Sequence, residues 1–450
     1  MDTAPGLPAI RHWADAVRFT GLITQELRKT TGIRPHMLNH DRAVDRDRTL
    51  GRLAEIAKIG ALDNGGVCRL ALSEEETHAR IRCLKCAESI GCESFVDPIG
   101  NLFMRWTPPG ATSQRPVLVG SHLDSQPVGG NFDGVLGVIA ALECIEVLAK
   151  HPGSVATPVE VAIWCNEEGA RFNPTTMGSA VHAGHLQLDD ALAVKAADGM
   201  AVGEALAKSL ASFAASDITL APRPLCGAYA AYVELHIEQG PILEDQGVAI
   251  GVVTDVQGLA QYRVSVDGVA GHAGAVPMER RADALSSART LMDAIDQTLR
   301  DLHGLRYTIG RFELAPGSIN TIASSASFTL DVRHPDRIVL EDAMARVEAA
   351  LTNARAERLI YQTPVPFDKE ITEAIAASAA KRGFSWRRMV SGAIHDAAHV
   401  AALCPSGMIF VPCRDGISHN ENEFCDPEAV VQGAQVLADT VFALAARPER

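Results

Sequence analysis

The chain has 450 residues and sets 41 Lys and Arg against 55 Asp and Glu, a formal charge of −14; with no basic stretch to offset it, a nucleic-acid partner is not expected. The length implies two or three compact units, and 47% hydrophobic against 5% aromatic residues suits a large α/β protein with an aliphatic core. No apolar run approaches the ~20 residues of a membrane span, and the first residues mix charge into their apolar stretch as no secretory leader does, so the expectation is a cytoplasmic protein whose ten cysteines are reduced thiols.

In chain order, residues 1–35 read as an N-terminal extension. From about residue 40 to 110, apolar spacing predicts two helices and then a strand around "GNLFMRW". Cys83, Cys86 and Cys92 lie in or just after the helical stretch "SEEETHARIRCLKCAESIG", without a fourth ligand for a metal. "RPVLVGSH" and "VEVAIWCNEEG" are short strands separated by the helical "GVLGVIAALECIEVLAKH". That β-α-β order implies neighbouring parallel strands, and their unbroken apolar texture implies burial on both faces. Residues 251–365 then read as β-α-β-β-α, an inserted α+β domain of ferredoxin-like kind. Residues 366–450 return through a helix, the strand "SGMIFVP" and a closing helix. The larger domain, 36–250 with 366–450, is therefore expected to be discontinuous and built on a mixed sheet.

Polar clusters sit where apolar strands end: "SHLD", "NFDG", "CNEEGARF", "ELHIEQG" and "GISHNENE". Ligands of open α/β sheets bind outside the carboxyl ends of strands, so such clusters can converge from far apart in sequence. Each has an ordinary reading taken alone: Asp133 as a helix N-cap, Glu167 and Glu168 as a solvated loop pair. Jointly they demand compensation of buried charge, and metal ions provide it. His122, Asp133 and His236 form one expected ligand set, and Asp133, Glu168 and His419 a second that shares Asp133. Two cations ~3.5–4 Å apart activate a bridging water. Glu167, not itself a ligand, is the expected general base, and Asp124 is expected to orient the His122 imidazole by accepting a hydrogen bond from it.

The ordered set "GSHLDSQPVGGNFDG", "NEEGARF", "ELHIEQGPILE", "GHAGAVPM", "GSINTI", "DVRHPD", "SGAIHDA" and "GISHNENE" resembles the hydantoinase/carbamoylase amidases of the M20 metallopeptidase-like hydrolases. The resemblance runs from about residue 40 onward. It implies a metallopeptidase-like catalytic domain with the insert as lid and dimerisation domain, a homodimer, and two divalent cations per subunit (Zn, Mn, Co or Ni). The same five metal ligands and Glu167 match the family's, and His272 of "GHAG" matches the histidine that polarises the scissile carbonyl across the dimer interface. Asn320 and Arg333 match binders of a substrate carboxylate, and Gln239 and His395 polar groups lining the pocket. The implied reaction is hydrolysis of the C–N bond of a ureido or carbamoyl group on a small carboxylate-bearing substrate such as an N-carbamoyl-L-amino acid. Allantoate or β-ureidopropionate hydrolysis is the alternative, then aminopeptidase or dipeptidase action, or a metal-binding homologue without turnover. Ile394, where Gly is commoner in the family, and Cys68, where Thr or Ser is expected, bear on substrate choice rather than on the ligands. A nucleotide-binding reading of "GGNFDG" is disfavoured, because neither GxGxxG nor GxxxxGK[ST] is present.

Overall fold

The structure, a computed structural model, describes residues 42–351 and 354–446; the N-terminal extension lies outside them. The described chain forms two compact units. One runs to Thr254 and resumes over Phe367–Met389 and from Ile394 onward; the other is Asp255–Pro366 with Val390–Ala393.

In chain order the principal elements are α1 (Arg46–Ile56), α2 (Glu74–Ser89), β1 (Glu93–Val96), β2 (Leu102–Trp106), β3 (Val117–His122), α3 (Val135–Ala149), β4 (Val159–Trp164), α4 (Met177–His182), β5 (Ala231–Ile237), β6 (Ile250–Val256), β7 (Gly258–Asp267), α5 (Ala284–Leu299), β8 (Arg306–Ala315), β9 (Ser325–His334), α6 (Arg337–Ala350), β10 (Arg355–Gln362), α7 (Lys369–Arg382), α8 (Asp396–Val400), β11 (Ser406–Val411) and α9 (Pro427–Ala445). Helices begin where short polar side chains satisfy their first free N–H groups. Asp45 caps α1, Ser73 caps α2, Asp368 caps α7, and Asp426, followed by Pro427, caps α9.

The first unit is a mixed sheet in which β6, β11, β5, β3, β4, β2 and β1 lie side by side. The middle four, β11-β5-β3-β4, are mutually parallel; β6 at one side and β2 and β1 at the other run antiparallel to their neighbours. β3, β4, β5 and β11 are buried at every position, as parallel strands covered on both faces must be. Helix α3, buried nearly throughout, packs against β3, β5, α1 and α9. Its buried acid, Glu143, accepts from the Asp45 N–H at 2.7 Å and from two Arg48 nitrogens at 2.7 Å, which ties α1 to α3. β6, which the sequence reading began as part of the insert, pairs with β11 in this large sheet.

The second unit is a four-stranded antiparallel sheet in the order β8-β9-β7-β10, with α5 and α6 on one face. Burial alternates residue by residue along β9, and Tyr262, Val264, Phe328 and Leu330 pack with Ile295 of α5 and Leu340 and Val347 of α6. The order β-α-β-β-α-β includes a last strand, β10, that the sequence reading did not contain.

Two helical glycines separate packing from propensity. A Cβ on Gly137 of α3 would lie 2.5 Å from the Leu235 carbonyl oxygen and 2.7 Å from the Ser121 Cβ, whereas a Cβ on Gly51 of α1 meets nothing within 4 Å. Alanine gains about 0.5–1 kcal/mol of helix stability over glycine, and overpacking costs about 1–3 kcal/mol. Gly51→Ala should therefore stabilise the fold by about 0.5–1 kcal/mol and Gly137→Ala should destabilise it, measured as shifts of the denaturant midpoint; equal effects would show that α3 has room to move off the sheet.

Candidate metal centre

The parallel strands deliver their last residues to one edge of the sheet. His122 is the final residue of β3, His236 the penultimate residue of β5, Glu167 and Glu168 follow β4, and His419 follows β11. Asp133 closes the loop into α3 but does not cap that helix: the N-cap is Gly134, with no side-chain cap bond. Gly134 has φ 67°, and a Cβ there would lie 2.4 Å from the His122 ring. The turn brings the loop against the imidazole and leaves the Asp133 carboxylate free to face inward.

That carboxylate presents its two oxygens to different partners. Oδ1 is 3.1 Å from His236 Nε2 and 3.5 Å from His122 Nε2, while Oδ2 is 3.4 Å from His419 Nε2. His419 Nε2 is also 3.3 Å from Glu168 Oε2. His122, Asp133 and His236 thus form one group whose ligand atoms lie within 4.8 Å of one another, and Asp133, Glu168 and His419 form another. The main chain sets the rings for this. His122 Nδ1 is 2.9 Å from the Asp124 carbonyl and His236 Nδ1 is 2.9 Å from the Ile237 carbonyl; a carbonyl only accepts, so each Nδ1 carries a proton and Nε2 is the nitrogen turned to Asp133 and left to serve a cation. A third group, Glu234, His236 and His395, is equally close, but both Glu234 oxygens already accept from protein donors.

Asp124 differs from expectation. It orients His122 through its carbonyl, and its carboxylate instead accepts from the Glu167 and Glu168 N–H groups at 3.2 and 3.1 Å, with Oδ1 3.7 Å from His122 Nδ1. Two main-chain donors compete better for those oxygens than a ring that already has a carbonyl. Supporting residues absent from the sequence reading are Glu423, which accepts from the Phe132 and Asp133 N–H groups at 2.8 and 3.1 Å, Ser418, which donates to Asp133 Oδ2 at 2.8 Å, and Gln126, which donates to Glu168 Oε2 at 2.7 Å. The signal for Glu423 and Ser418 was their place in the cluster "GISHNENE" around His419. Gln239, expected in the pocket, donates to Asp133 Oδ2 at 2.8 Å and leaves its Oε1 buried without a partner. His395 is buried, its ring centroid 4.4 Å from that of His236 and its Nε2 without a partner.

The electrostatics of the cluster fit a cation. Burial pushes the Glu167 carboxyl well above its usual range, and the Asp396, Glu168 and Asp124 carboxylates add to this against His122. Burial and Asp133 push Glu168 up to about 7. Against its own burial, hydrogen bonds from three imidazoles hold Asp133 well below the usual carboxylate range, and the bond to Asp133 raises His419 to about 9. Carboxylates crowded this closely repel unless positive charge lies among them, and divalent cations reverse the pressure. Imidazole Nε2 atoms and carboxylate oxygens are the donor set of a borderline divalent metal.

His272, Asn320 and Arg333 belong to the second unit. Thr321 pairs with His272 in a short antiparallel ladder, and the Ala273 N–H donates to the Asn320 carbonyl at 2.9 Å, so His272 and Asn320 are neighbours. The Gly274 N–H donates to His272 Nδ1 at 3.1 Å. Arg333 is held by Asp331 through Nε and Nη2 at 2.7 and 3.2 Å, and by the Gly392 carbonyl through Nη1 at 3.1 Å.

The fold and this cluster define a class of hydrolase: the chain belongs to peptidase family M20/M25/M40, matched over residues 118–443. It is similar to the N-carbamoyl-L-amino-acid amidohydrolase of Rhizobium meliloti, 37% identical over 412 residues, 89% of this chain and 97% of the relative. It is similar to the allantoate amidohydrolase of Bacillus subtilis (strain 168), 33% identical over 400 residues, 87% of this chain and 95% of the relative. A solved hydantoinase/carbamoylase family amidase from Burkholderia multivorans is 40% identical with a TM-score of 0.82, covering 91% of this chain and 100% of that one. Within the family the chain is therefore an amidohydrolase of the carbamoylase and allantoate amidohydrolase type, acting on C–N bonds of linear amides other than peptides.

Because both donor groups contain Asp133, Asp133→Ala should lower metal content in both, whereas His122→Ala or His419→Ala should weaken mainly one. Elemental analysis of purified variants reads this directly, and an Asp133→Ala protein with undiminished metal would contradict the shared role.

Proposed function

We propose that the protein hydrolyses the C–N bond of a ureido or carbamoyl group on a carboxylate-bearing substrate, an N-carbamoyl-L-amino acid above all. The observation that carries this reading is the shared carboxylate: Asp133 faces two donor groups while Glu167, 3.7 Å from His122 Nε2, belongs to neither. His122, Asp133 and His236 would hold one divalent cation, and Asp133, Glu168 and His419 a second, with Zn, Mn, Co and Ni all compatible. When bound, such cations supply Lewis acidity to the scissile carbonyl and acidify the attacking water.

The chain's own groups do the rest. Glu167 takes the water's proton on a carboxylate oxygen and passes it to the leaving nitrogen; burial raises its proton affinity and so suits it as a base. His395 Nε2 and Gln239 Oε1, buried and unpartnered, are polar contacts for the substrate's ureido end. In the second unit, the Gly274 N–H occupies His272 Nδ1, so the neutral ring carries its proton on Nε2 and can donate to a carbonyl oxygen. Asp331 and Gly392 leave one N–H on each of Arg333 Nη1 and Nη2, a fork suited to a carboxylate. Ser318 Oγ donates to Asn320 Oδ1 at 3.0 Å, which leaves the Asn320 amide N–H groups for the same anion.

His272 acts on the partner subunit's centre in a homodimer. β8 is an edge strand with Phe312 and Leu314 exposed, features that favour self-association. All ten cysteines are free, which supports a reducing compartment, and we take it to be the cytoplasm; no helix among the described residues is long and apolar enough to cross a membrane.

The test is a hydrolysis panel with metal-reconstituted protein: N-carbamoyl amino acids, allantoate, β-ureidopropionate and dipeptides. Release of ammonia from N-carbamoyl-L-amino acids with inert dipeptides is expected; preference for allantoate would move the substrate to the alternative, and preference for dipeptides would overturn the reading. Glu167→Gln should keep its metal and lose ~10²-fold or more in kcat, as expected for a lost general base. Charged hydrogen bonds contribute about 1.5–3 kcal/mol each, so Arg333→Ala should lower kcat/KM on a carboxylated substrate by about 10- to 100-fold per bond lost. The amide analogue, already poor, should lose little more; equal damage to both would mark Arg333 as structural. His272→Ala and Glu167→Gln homodimers should each be nearly inactive yet regain activity after subunit exchange, and no recovery after demonstrated exchange would place His272 outside the partner's chemistry.

A further inference from the structure

Beneath the metal centre lies a carboxylate that neither donor group uses. Glu234 is completely buried and stands on β5 two residues before His236, hence on the same face of the strand. Both of its oxygens are engaged. Oε1 accepts from Ser121 Oγ at 2.7 Å, and Oε2 accepts from the Ala397 N–H at 3.1 Å and lies 3.1 Å from Tyr232 Oη. Tyr232 Oη in turn accepts from Trp164 Nε1 at 3.0 Å and lies 3.1 Å from the Gly120 carbonyl.

The partners reach Glu234 from β3, from β5 itself and from α8, with Trp164 of β4 joined through Tyr232, and Ser121, Trp164 and Ala397 each stand within three residues of a residue of the site. Ser121 immediately precedes His122 on β3. Trp164 ends β4, three residues before Glu167. Ala397 stands in the first turn of α8, two residues after His395. Asp124 already ties the Glu167–Glu168 turn to the end of β3; Glu234 adds the links to β5 and α8, whereas Glu143 ties α1 to α3 and Glu160 pairs with Arg105 and Arg223.

We infer that Glu234 is a positioning residue, a buried clamp that fixes the relative placement of His122, His236, His395 and the Glu167–Glu168 turn through Ser121, Ala397 and the Tyr232–Trp164 pair. This rests on the metal-centre reading above and deepens it. The candidate ligand atoms sit at the ends of β3 and β5 and in the loops that follow β3, β4 and β11, where small rotations of one strand relative to another move a ligand atom most. A single carboxylate accepting from several ends holds them in one geometry, as outer hydrogen bonds do for metal ligands generally.

The test measures cation binding rather than turnover. Cobalt affinity is read by competition with a chromophoric chelator, and the visible spectrum of the cobalt-loaded protein reports ligand geometry. His236→Ala serves as the control for the underlying reading; if it binds cobalt as the unmutated protein does, the metal centre itself is wrong, whatever Glu234 does. With that control passed, Glu234→Ala should weaken affinity about 10- to 100-fold, in line with other outer partners of metal ligands, and alter the spectrum. Glu234→Gln should restore affinity to within a few-fold, because its amide can accept from Ala397 N–H and donate to Ser121 Oγ. Should Glu234→Ala fail to fold, Ser121→Ala and Tyr232→Phe each remove one arm with little loss of packing and should each shift the cobalt spectrum. A lowered melting temperature with unchanged affinity and spectrum would make Glu234 merely structural, and Glu234→Gln as damaging as Glu234→Ala would make its role that of a charge; either result overturns the clamp.

Discussion

Burial of the Asp133 carboxylate among three imidazoles is the constraint on which the rest of the site depends. The side chain is 6% exposed, and an ionised group so far from water is tolerated only when paired and hydrogen-bonded. The fold meets that demand from several directions. Glu423 holds the Phe132 and Asp133 N–H groups from one side of the loop, Ser418 and Gln239 donate to Oδ2, and Gly134 lets the backbone turn against His122. Gly130 belongs to the same arrangement, since a Cβ there would meet the Glu423 carboxyl at 2.1–2.2 Å.

The main chain meets chemically identical rings with opposite groups. A carbonyl facing Nδ1 keeps a proton on that nitrogen of His122 and His236 and leaves Nε2 for a cation; an N–H facing Nδ1 makes that nitrogen of His272 the acceptor. The first arrangement suits a Lewis acid and the second a substrate oxygen. Backbone conformation follows the same pattern: Asn166, Gln239 and His419 all take positive φ, between 55° and 56°, beside or within the cluster. Non-glycine residues in that region carry strain that surrounding contacts must offset, and Asn166 is held there by bonds from its amide to the Phe172 and Pro174 carbonyls.

Much of the large sheet was legible in the sequence. Strands β3 and β4 are unbroken apolar runs flanking a helix of helical period, and only parallel neighbours covered on both faces read that way. The convergence of the polar clusters was legible because charge at the end of such a strand has no cheap structural purpose. What escaped was set by tertiary partners. Whether Asp124 orients His122 by carboxylate or by carbonyl depends on the two N–H groups that reach it from residues 167 and 168, and nothing in "SHLD" encodes that. Glu234 read as one more residue of "ELHIEQG" because its partners come from β3 and α8. β10, "RAERLIYQ", was missed because it is largely exposed and its first half carries three charges, so no apolar period marks it. His272, Asn320 and Arg333 were named only through family resemblance; a single polar residue in a two-residue ladder, a turn or the end of a strand carries no pattern of its own.

The most direct measurement is anomalous diffraction from crystals of the cobalt- or zinc-loaded protein. Two anomalous peaks per subunit are predicted, ~3.5–4 Å apart, one bounded by His122, Asp133 and His236 and the other by Asp133, Glu168 and His419. A single peak, or two peaks with Asp133 touching only one of them, would contradict the shared-carboxylate account.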